Sequence, residues 1–489
     1  MINKKFYFYF AFITITLSRH DTFLMGTALA NCNGTSGTVT CTGTTTSRVG
    51  AGSGDPITTL NVSSGAVIST PGVSISLGSG TSSNQNVINV DGTVQNQGSG
   101  AGPYDLGPNV IEFGSNTTVN VGKTGTIEQL GGDSGGEAIN VTGGNNTFNN
   151  YGTIQTATSS TFWFEGKDSA TSDMRNTIEN YGSIRAGSTG NDTLLGFGTA
   201  GSISFTNHTG ATAKGNLNFG SGGSISNVAT FYTGSTFTGN ISGGGNADIL
   251  NLTGDGGSSN LGTGITGFGT LNKTGTGTWT VGANEPLSQL GSSLAMNVDG
   301  GTLILASDTS SSQTKATINS GGVLQLGNGG TAGWLDSVSS NDGTLSFNRS
   351  DTKTYSTAIN GSGSIIQGGT GTTILSANNG FTGDTTISAG TLALSGAGSI
   401  STSSGVHNNG TFDISGTSSS SSSIKALDGN GSTILGDKTL VLTDANSTFG
   451  NTYSGIMSGP GGLTIEGGTQ TLSGLIRTPE TRRSPTMDS

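Results

Sequence analysis

The side chains that could support acid–base chemistry are few and widely separated along the chain. The 489 residues include three histidines, and two of these, His208 and His407, are about two hundred residues apart. General acid–base catalysis needs two carboxyl groups a few ångströms apart. The aspartates of the middle region stand mostly beside glycine or asparagine, as turn residues do: Asp248, Asp255, Asp299, Asp308, Asp336, Asp342 and Asp351. We therefore predict no catalytic residues.

One short segment has the composition of a protease nucleophile. Gly132–Gly136 has the sequence GDSGG, which resembles the nucleophile segment of chymotrypsin-like serine proteases. A nucleophilic serine needs a histidine base and a buried carboxylate that orients the base, and that family places its histidine upstream of the serine. The upstream histidine here is His20, inside a predicted export signal. We interpret GDSGG as turn residues.

The composition indicates an extended structure with a thin core. Charged residues make up 10% of the chain and glycine contributes 87 residues, whereas typical globular domains contain about 25% charged residues. The net charge is −11. The lysines and arginines are scattered, so the clustered basic face of a nucleic-acid-binding protein is missing. We predict no nucleic-acid partner, no cofactor and no metal site.

The N-terminal residues 1–30 have the organisation of an export signal. Lys4 and Lys5 form a positive region, and Phe6–Leu17 is an apolar run. The small-x-small pattern that ends at Ala30 predicts cleavage before Asn31. The alternative is a transmembrane anchor, for which the apolar run is too short to cross a hydrocarbon core of about 30 Å.

The two cysteines lie close together just after the predicted cleavage point. In an exported protein, the spacing of Cys32 and Cys41 predicts a small disulfide loop that fastens the first coil. A metal site would need further ligands nearby, and the mature sequence has no histidine in this region.

Phrases that begin with glycine and continue with alternating apolar residues recur through the second half of the chain. Most steps are about 20 residues. Alternation over three to five residues, flanked by Gly, Asn and Asp, predicts short strands joined by turns. The phrases begin at Gly301, Gly322, Gly343, Gly363, Gly371, Gly390, Gly410 and Gly431, and looser versions begin at Asn89, Asn149 and Glu179.

Two all-β arrangements compete for this pattern. A sandwich or closed barrel predicts alternating hairpins and a finite number of strands. A parallel β-helix predicts a nearly constant coil length with like residues stacked on each other. The constant step favours the second, so we predict a right-handed parallel β-helix (solenoid) with about 20-residue coils. About 450 residues would then give about 22 coils and a rod of about 100 Å at one strand spacing per coil.

Within this pattern, Gly361–Gly396 reads GSGSIIQGGTGTTILSANNGFTGDTTISAGTLALSG. It resembles the passenger-associated transport repeat, also called the autotransporter-associated β-strand repeat, of bacterial type V autotransporter passengers. The resemblance implies export, passage across the outer membrane through a C-terminal β-barrel, and a β-helical stalk whose repeats help transport and folding. The residues that carry the motif include Gly371, Asn378, Phe381, Thr382, Gly383, Gly390 and Leu392.

The clear resemblance divides the chain. Residues 31–266 form a β-helical N-terminal region that is similar in texture only, and residues 267–474 contain the repeats. A second copy starts at Gly269 and departs from the family pattern at Glu285–Pro286, and a third runs from Gly459 to Gly474. We expect that a β-barrel, which would fill a long C-terminal region, is lacking from this chain.

Residues 475–489, LIRTPETRRSPTMDS, differ from the rest because they contain no glycine and two of the eight prolines. One codon choice for Leu475–Ser484, with a single G restored after Gly474, translates to a sequence that continues the repeat through a Thr-Gly-Asp-Thr-Thr step. We therefore hypothesise an aberrant, frameshifted tail. Sequencing the gene beyond the Gly474 codon should reveal a repeat followed by barrel strands in another frame, and their absence would contradict the hypothesis.

The sequence therefore favours a non-enzymatic autotransporter passenger fragment, an adhesin-like surface stalk. Surface molecules of a host or of bacteria are the partners that this function allows, with no small-molecule substrate identified. The intact family member would reside at the outer membrane, and we expect this shorter chain in the periplasm. Two alternatives stay open. One is a β-helix enzyme acting on polysaccharide, and the other is a non-functional truncated gene product.

Overall fold

The computed structural model describes residues 32–35, 37–52, 54–97, 108–131, 136–165, 175–187, 193–197, 202–220, 226–261, 264–283, 294–309, 314–445 and 450–477. Within these ranges the regular elements are all β-strands, and they stack as a parallel β-solenoid of about 16 turns with roughly 23 residues each. The predicted all-β solenoid is confirmed. The same ranges contain no helix long and apolar enough to cross a membrane.

Coil length differs between the two halves of the solenoid. Asparagines that bond each other on adjacent coils are 28, 31 and 29 residues apart near the N-terminus, but a comparable pair farther along is 21 residues apart. The 20-residue step therefore describes the second half. The predicted count of about 22 coils is too high, because several N-terminal coils are longer, although the first step, from Thr38 to Thr59, is 21 residues. About 16 turns correspond to a rod of about 80 Å. The right-handed sense stays a prediction.

Strands at equivalent positions on successive coils form columns of parallel pairs, as the roughly constant coil length requires. The longest column, which we call the asparagine column, consists of Thr38–Cys41, Thr59–Val62, Asn86–Val90, Thr117–Val121, Thr147–Asn150, Asn176–Asn180, Ile203–Asn207, Val228–Tyr232, Ile241–Thr253, Ile265–Lys273, Ala295–Val298, Lys315–Ile318 and Val338–Asn341.

Two further columns complete the N-terminal coils. One consists of Thr44–Thr45, Val67–Thr70, Thr93–Asn96, Thr126–Gln129, Thr153–Thr156, Ser183–Arg185, Thr212–Lys214 and Thr236–Thr238. The other consists of Val49–Gly52, Ile75–Leu77, Ile111–Phe113, Ile139–Val141, Phe162–Phe164, Thr193–Phe197 and Asn216–Asn218. The long strand Ile241–Thr253 pairs with both Asn216–Asn218 and Val228–Tyr232, so it joins this column to the asparagine column.

The C-terminal coils continue in the same manner. One column consists of Ser258–Leu261, Thr278–Val281, Gly301–Leu305, Gly322–Leu326, Thr344–Phe347, Ser364–Gln367, Thr385–Ile387, Val406–Asn408 and Leu427–Asp428. A second consists of Thr352–Tyr355, Thr372–Leu375, Thr391–Gly396, Thr411–Thr417, Ser432–Ile434, Ile456–Ser458 and Ile476–Arg477. The remaining short stacks are Asn360–Gly361 on Gly380–Phe381, Ser421–Ile424 with Thr439–Leu442 and Leu463–Ile465, and Thr452–Tyr453 on Thr471–Leu472.

The core is a file of apolar side chains that alternate with outward polar ones. In the asparagine column the inward positions of five successive coils are in register and at most 1% exposed: Ile88, Val119, Phe148, Ile178 and Phe205. Burying one such side chain contributes about 1.5–3 kcal/mol. The aromatic cluster at Phe162–Phe164 belongs to the same core, since its two phenylalanines are buried. Each coil therefore stabilises the solenoid mainly through its two neighbours.

The glycine that opens each phrase lies where adjacent coils touch. A Cβ on Gly343 would lie 2.2 Å from the carbonyl oxygen of Gly322, and a Cβ on Gly363 would lie 2.2 Å from that of Gly343. Gly383 repeats the arrangement on Gly363 at 2.5 Å. No other residue fits at such distances, because the neighbouring atom is backbone and can give way only if the coil moves.

We predict that Gly363→Ala lowers the free energy of unfolding by about 1–3 kcal/mol, because the added methyl group must displace the Gly343 carbonyl. Gly330→Ala is the matched control, since a Cβ there meets nothing within 4 Å, and its effect should stay within about 0.5 kcal/mol. Urea unfolding followed by circular dichroism measures both. Equal midpoints for the two variants would contradict the close-packing argument.

A buried ammonium group connects two coils at the start of the second half. The Lys273 side chain is fully buried, and its Nζ donates to the carbonyl oxygens of Thr274, Gly275 and Gly300 at 2.7, 3.0 and 2.8 Å. Burial lowers the pKa of Lys273 to about 8, against the opposing charge of Asp255. The three carbonyl dipoles compensate the charge, and they use all three N–H donors of the ammonium.

A buried carboxyl group sits at the end of an N-terminal coil. Burial raises the pKa of Glu137 to about 7, while hydrogen bonds from its own backbone N–H and from Asn140 oppose the rise and the charge of Glu165 adds to it. The folded chain therefore holds this proton more tightly than the unfolded chain, where the pKa is about 4.5. The resulting stabilisation is complete below pH 4.5 and is lost as the pH rises through 7.

We predict that raising the pH from 5 to 8 destabilises the wild type more than the Glu137→Gln variant, by up to about 3 kcal/mol. All other titratable groups are the same in both proteins, so the difference between the proteins isolates Glu137. Urea midpoints at both pH values measure it. An identical pH dependence in the two proteins would show that Glu137 is not held in its neutral form.

Candidate functional site

The repeat motif occupies one coil of the solenoid and part of the next. Its strands are Ser364–Gln367, Thr372–Leu375, Gly380–Phe381, Thr385–Ile387 and Thr391–Gly396. Thr385–Ile387 pairs in parallel with Ser364–Gln367, and Thr391–Gly396 pairs with Thr372–Leu375. The motif is therefore a length of solenoid that continues the columns on both sides.

The motif glycines and apolar residues have structural positions that their types explain. Cβ atoms on Gly371, Gly383 and Gly390 would lie 2.1, 2.5 and 2.3 Å from carbonyl oxygens of the preceding coil, and Gly390 also has a positive φ of 57°. Phe381 and Leu392 are fully buried in the core. The three glycines allow the coils to stack closely, and the two apolar residues fill the interior. None of the five presents a functional group to solvent.

The two adjacent asparagines of the motif, Asn378 and Asn379, have different structural roles. Asn378 is exposed and makes a backbone bridge to Ser399. Its neighbour Asn379 is 2% exposed; its Nδ2 donates to the carbonyl oxygens of Ala377 and Ser399 at 2.9 and 3.0 Å, and its Oδ1 accepts from the Ile359 backbone N–H at 3.0 Å. The side chain that fastens the corner across three coils is therefore Asn379, which sequence comparison within the chain did not single out.

Backbone contacts complete the motif corner. The N–H of Thr382 donates to the Gly361 carbonyl at 3.0 Å, and the N–H of Gly383 donates to the Gly363 carbonyl at 3.0 Å. The Thr-Gly step thus keeps coil spacing constant through the turn. A constant spacing is what lets the next coil pair on this one.

The first coil begins with a disulfide-linked hairpin. Cys32 and Cys41 are joined by a disulfide, and Cys32–Thr35 pairs antiparallel with Thr38–Cys41. The predicted cleavage residues Ala30 and Asn31, the segment Gly132–Gly135 of GDSGG and residues 478–489 of the tail lie outside the described residues.

Both described histidines pair with a carboxylate on an adjacent coil. His208 Nε2 lies 2.7 Å from Glu179 Oε2, and His407 Nδ1 contacts Asp428 Oδ1. His407 and Asp428 are opposite each other on adjacent strands, and His208 directly follows Ile203–Asn207, the strand that pairs with the strand of Glu179. The pairs are half-buried bridges between coils, which is a structural use of the side chains.

Coil stacking brings two of the candidate aspartates to one cation. The guanidinium of Arg349, a residue that is 3% exposed, contacts Asp351 at 2.8 Å and Asp308 at 3.3 Å. Its hydrogen bond and charge hold the pKa of Asp351 below the usual value. Asp248 is buried and accepts the backbone N–H of Asn227 at 2.7 Å. These carboxylates are engaged in holding coils together, and across the described ranges no three or more His, Cys, Asp or Glu side chains form a metal-binding group.

A file of aromatic rings runs along the outside of the N-terminal coils. Tyr151 and Tyr181 stack with centroids 4.6 Å apart and 4° between their planes, Tyr181 and His208 stack at 3.9 Å and 6°, and His208 and Tyr232 stack at 4.9 Å and 27°. Tyr151 is 47% exposed and Tyr181 is 40% exposed. We call these four residues the tyrosine ladder. Burial in the stack and the nearby Glu179 raise the pKa of Tyr181.

A second file, of carboxamides, runs beside the ladder on the asparagine column. Asn89 Nδ2 donates to Asn61 Oδ1 at 2.8 Å, Asn120 donates to Asn89 at 2.9 Å, and Asn149 donates to Asn120 at 2.9 Å. The side chains point outward and are half-buried. The ladder and the carboxamides together form the most organised outward surface of the described coils, with aromatic and hydrogen-bonding groups in regular rows.

Sequence patterns contained a partial signal for this surface. The phrases NNYGTI and ENYGSI predict that Tyr151 and Tyr181 occupy equivalent turns, and Asn150 and Asn180 bond across 30 residues. The next coil is shorter: Asn180 and Asn207, which are hydrogen-bonded to each other, are 27 residues apart. Because the coil length changes, a constant repeat length does not place His208 and Tyr232 in the same row as Tyr151 and Tyr181.

Comparison with known proteins supports the resemblance stated from the motif. Residues 365–394 match the family model of the passenger-associated-transport-repeat. The chain is similar to the adhesin BmaC autotransporter of Brucella suis biovar 1 (strain 1330), with 30% identity over 209 residues, which are 41% of this chain and 6% of that protein. The chain thus spans a small part of the length of this relative. No solved structure matches the chain significantly.

The predicted resemblance to an autotransporter passenger is confirmed by these two matches together. The motif match coincides with the coil whose glycines and buried rings were described above. The longer match extends the similarity well beyond one coil.

Proposed function

We propose that this chain is a β-helical passenger region of an autotransporter that works without catalysis, as an adhesin-like stalk on the bacterial surface. The observation that carries the proposal is that residues 365–394, which match the transport repeat, form a coil continuous with the columns before and after it. The similarity to an autotransporter adhesin supports the same function. Its partners would be surface molecules of a host or of other bacteria.

The repeat region 267–474 would support outer-membrane transport by folding early. A completed coil offers a full row of strand edges on which the adjacent coil can pair, so folding spreads from coil to coil. Side chains such as Phe381 and Asn379, which fix the corner and the core of the repeat, would then determine how readily such a template forms. The N-terminal region 31–266, with its ordered outward rows, would be the part that contacts partners.

A matched pair of core variants, expressed in the source bacterium, distinguishes the transport role of residues 267–474 from the partner-binding role of residues 31–266. Phe381→Ala and Phe231→Ala each remove a fully buried ring and should each cost about 3–5 kcal/mol of stability in the purified chain. When the chain is joined to an autotransporter β-barrel, antibody labelling of intact cells should detect the wild type, and Phe381→Ala should lower the surface signal more than Phe231→Ala does.

Labelling that appears only after the outer membrane is permeabilised would contradict the surface location. Equal losses of surface signal for the two variants would contradict a specific role of the repeat in transport. Total protein measured on the same cells controls for degradation.

A further inference from the structure

The tyrosine ladder ends at Tyr151, and the residue in the same position on the preceding coil is a glycine. The parallel register pairs Asn150 with Val121, so the following residues, Tyr151 and Gly122, occupy equivalent positions. One face of Tyr151 stacks on Tyr181, and among the described residues no ring covers its other face. Because Gly122 has no side chain, the next rung of the ladder is open.

A groove of about 370 Å³ lies at this open rung. Its lining includes Asn61, Asn89, Asn120, Asp91, Gly122 and Tyr151. A Cβ on Gly122 would lie 1.9 Å from Asp91 Oδ1, so the carboxylate lies directly against the glycine. The groove therefore has one aromatic wall, a carboxylate beside the opening, and a floor of side-chain amides.

The carboxamides of the floor have hydrogen-bonding capacity to spare. A side-chain amide has two N–H donors and an oxygen with two lone pairs. In the file, Asn89 uses one N–H toward Asn61 and one lone pair toward Asn120, which leaves one donor and one acceptor. An ionised carboxylate such as that of Asp91 can accept hydrogen bonds but cannot donate them. The amides of the floor can therefore donate hydrogen bonds to a ligand hydroxyl group or accept them from it, and Asp91 favours ligand groups that donate.

We propose that this groove binds one uncharged pyranose ring, at the position that a fifth ring of the tyrosine ladder would take. The coil spacing of about 4.8 Å is close to the 4.6 Å between the Tyr151 and Tyr181 centroids, so the position one coil before Tyr151 accommodates one ligand ring against its open face. The C–H face of a pyranose packs on the aromatic ring, while its equatorial hydroxyl groups bond Asn89, Asn120 and Asp91.

The charge of the site selects against acidic sugars. Asp91 lies at the groove, and the chain carries a net charge of −11, so an anionic ligand is repelled at close and at long range. An aromatic side chain of a protein partner could stack on Tyr151 equally well, but it would leave the amides and the carboxylate without partners. A ring edged by hydroxyl groups satisfies both parts of the groove.

This site rests on the proposed function in one respect, because it names a ligand class for an adhesin-like surface. The two nevertheless fail separately. Ligand binding is measured on the purified chain, whereas surface display is measured on cells.

The test is saturation-transfer NMR and titration of the purified chain with methyl β-D-glucopyranoside, methyl β-D-galactopyranoside, methyl α-D-mannopyranoside and N-acetylglucosamine. Glucuronate is the anionic comparison and p-cresol represents a tyrosine side chain. We expect at least one neutral pyranoside to bind with a Kd on the order of 1 mM, with transfer to its ring C–H protons and at least about tenfold weaker binding of glucuronate.

Two variants should weaken this binding in different ways. Tyr151→Ala removes the wall. Gly122→Tyr displaces the Asp91 carboxylate, which would lie 1.9 Å from the new Cβ, and places a ring in the next rung of the ladder. Each should weaken binding about tenfold or more. Tyr151→Phe keeps the wall, and Tyr232→Ala removes a ring at the far end of the ladder, so both should bind as the wild type does.

The outcomes are decisive in either direction. Unchanged binding in Gly122→Tyr, equal binding of glucuronate, or no binding of any neutral pyranoside would overturn the site. Binding of p-cresol without any sugar would replace the proposal with a protein partner. Circular dichroism on Gly122→Tyr and Tyr151→Ala confirms that a loss of binding is not a loss of fold.

Discussion

The spacing of one β-strand between successive coils is the constraint on which the rest of this structure depends. Because each coil hydrogen-bonds to the next along its whole length, every turn must bring the backbone back to the same height. At the corners this places carbonyl oxygens within 2.2 Å of where a Cβ would stand, as at Gly343 and Gly363. The high glycine content is thus a packing requirement, and it explains why each phrase of the sequence opens with that residue.

The same constraint stacks like side chains on like. Residues in one column recur at one strand spacing, so identical charges would repel along the rod, whereas amides and rings attract their own kind. The carboxamide file from Asn61 to Asn149 and the tyrosine ladder are two results. Two buried cations are compensated, Lys273 by three carbonyl oxygens and Arg349 by Asp351 and Asp308.

The sequence was sufficient for the architecture and for the family resemblance, because both depend on local alternation and on corner glycines such as Gly371 and Gly390. It was not sufficient for the number of coils, because the N-terminal coils vary in length and a 20-residue period does not apply there. The structural role of Asn379, rather than its exposed neighbour Asn378, depends on contacts to two other coils. The tyrosine ladder likewise needs the register of four coils of unequal length, which only the folded chain supplies.

The direction of the hydrogen bonds in the columns has a mechanical consequence. Backbone bonds between coils run parallel to the rod axis, as do the side-chain bonds of the asparagine file. Tension applied to the two ends would therefore load one coil boundary at a time and peel the solenoid turn by turn, rather than shear all of it at once. Each turn released would lengthen the chain considerably and absorb work, so the rod would yield gradually under a pull and could re-form when the pull ceases.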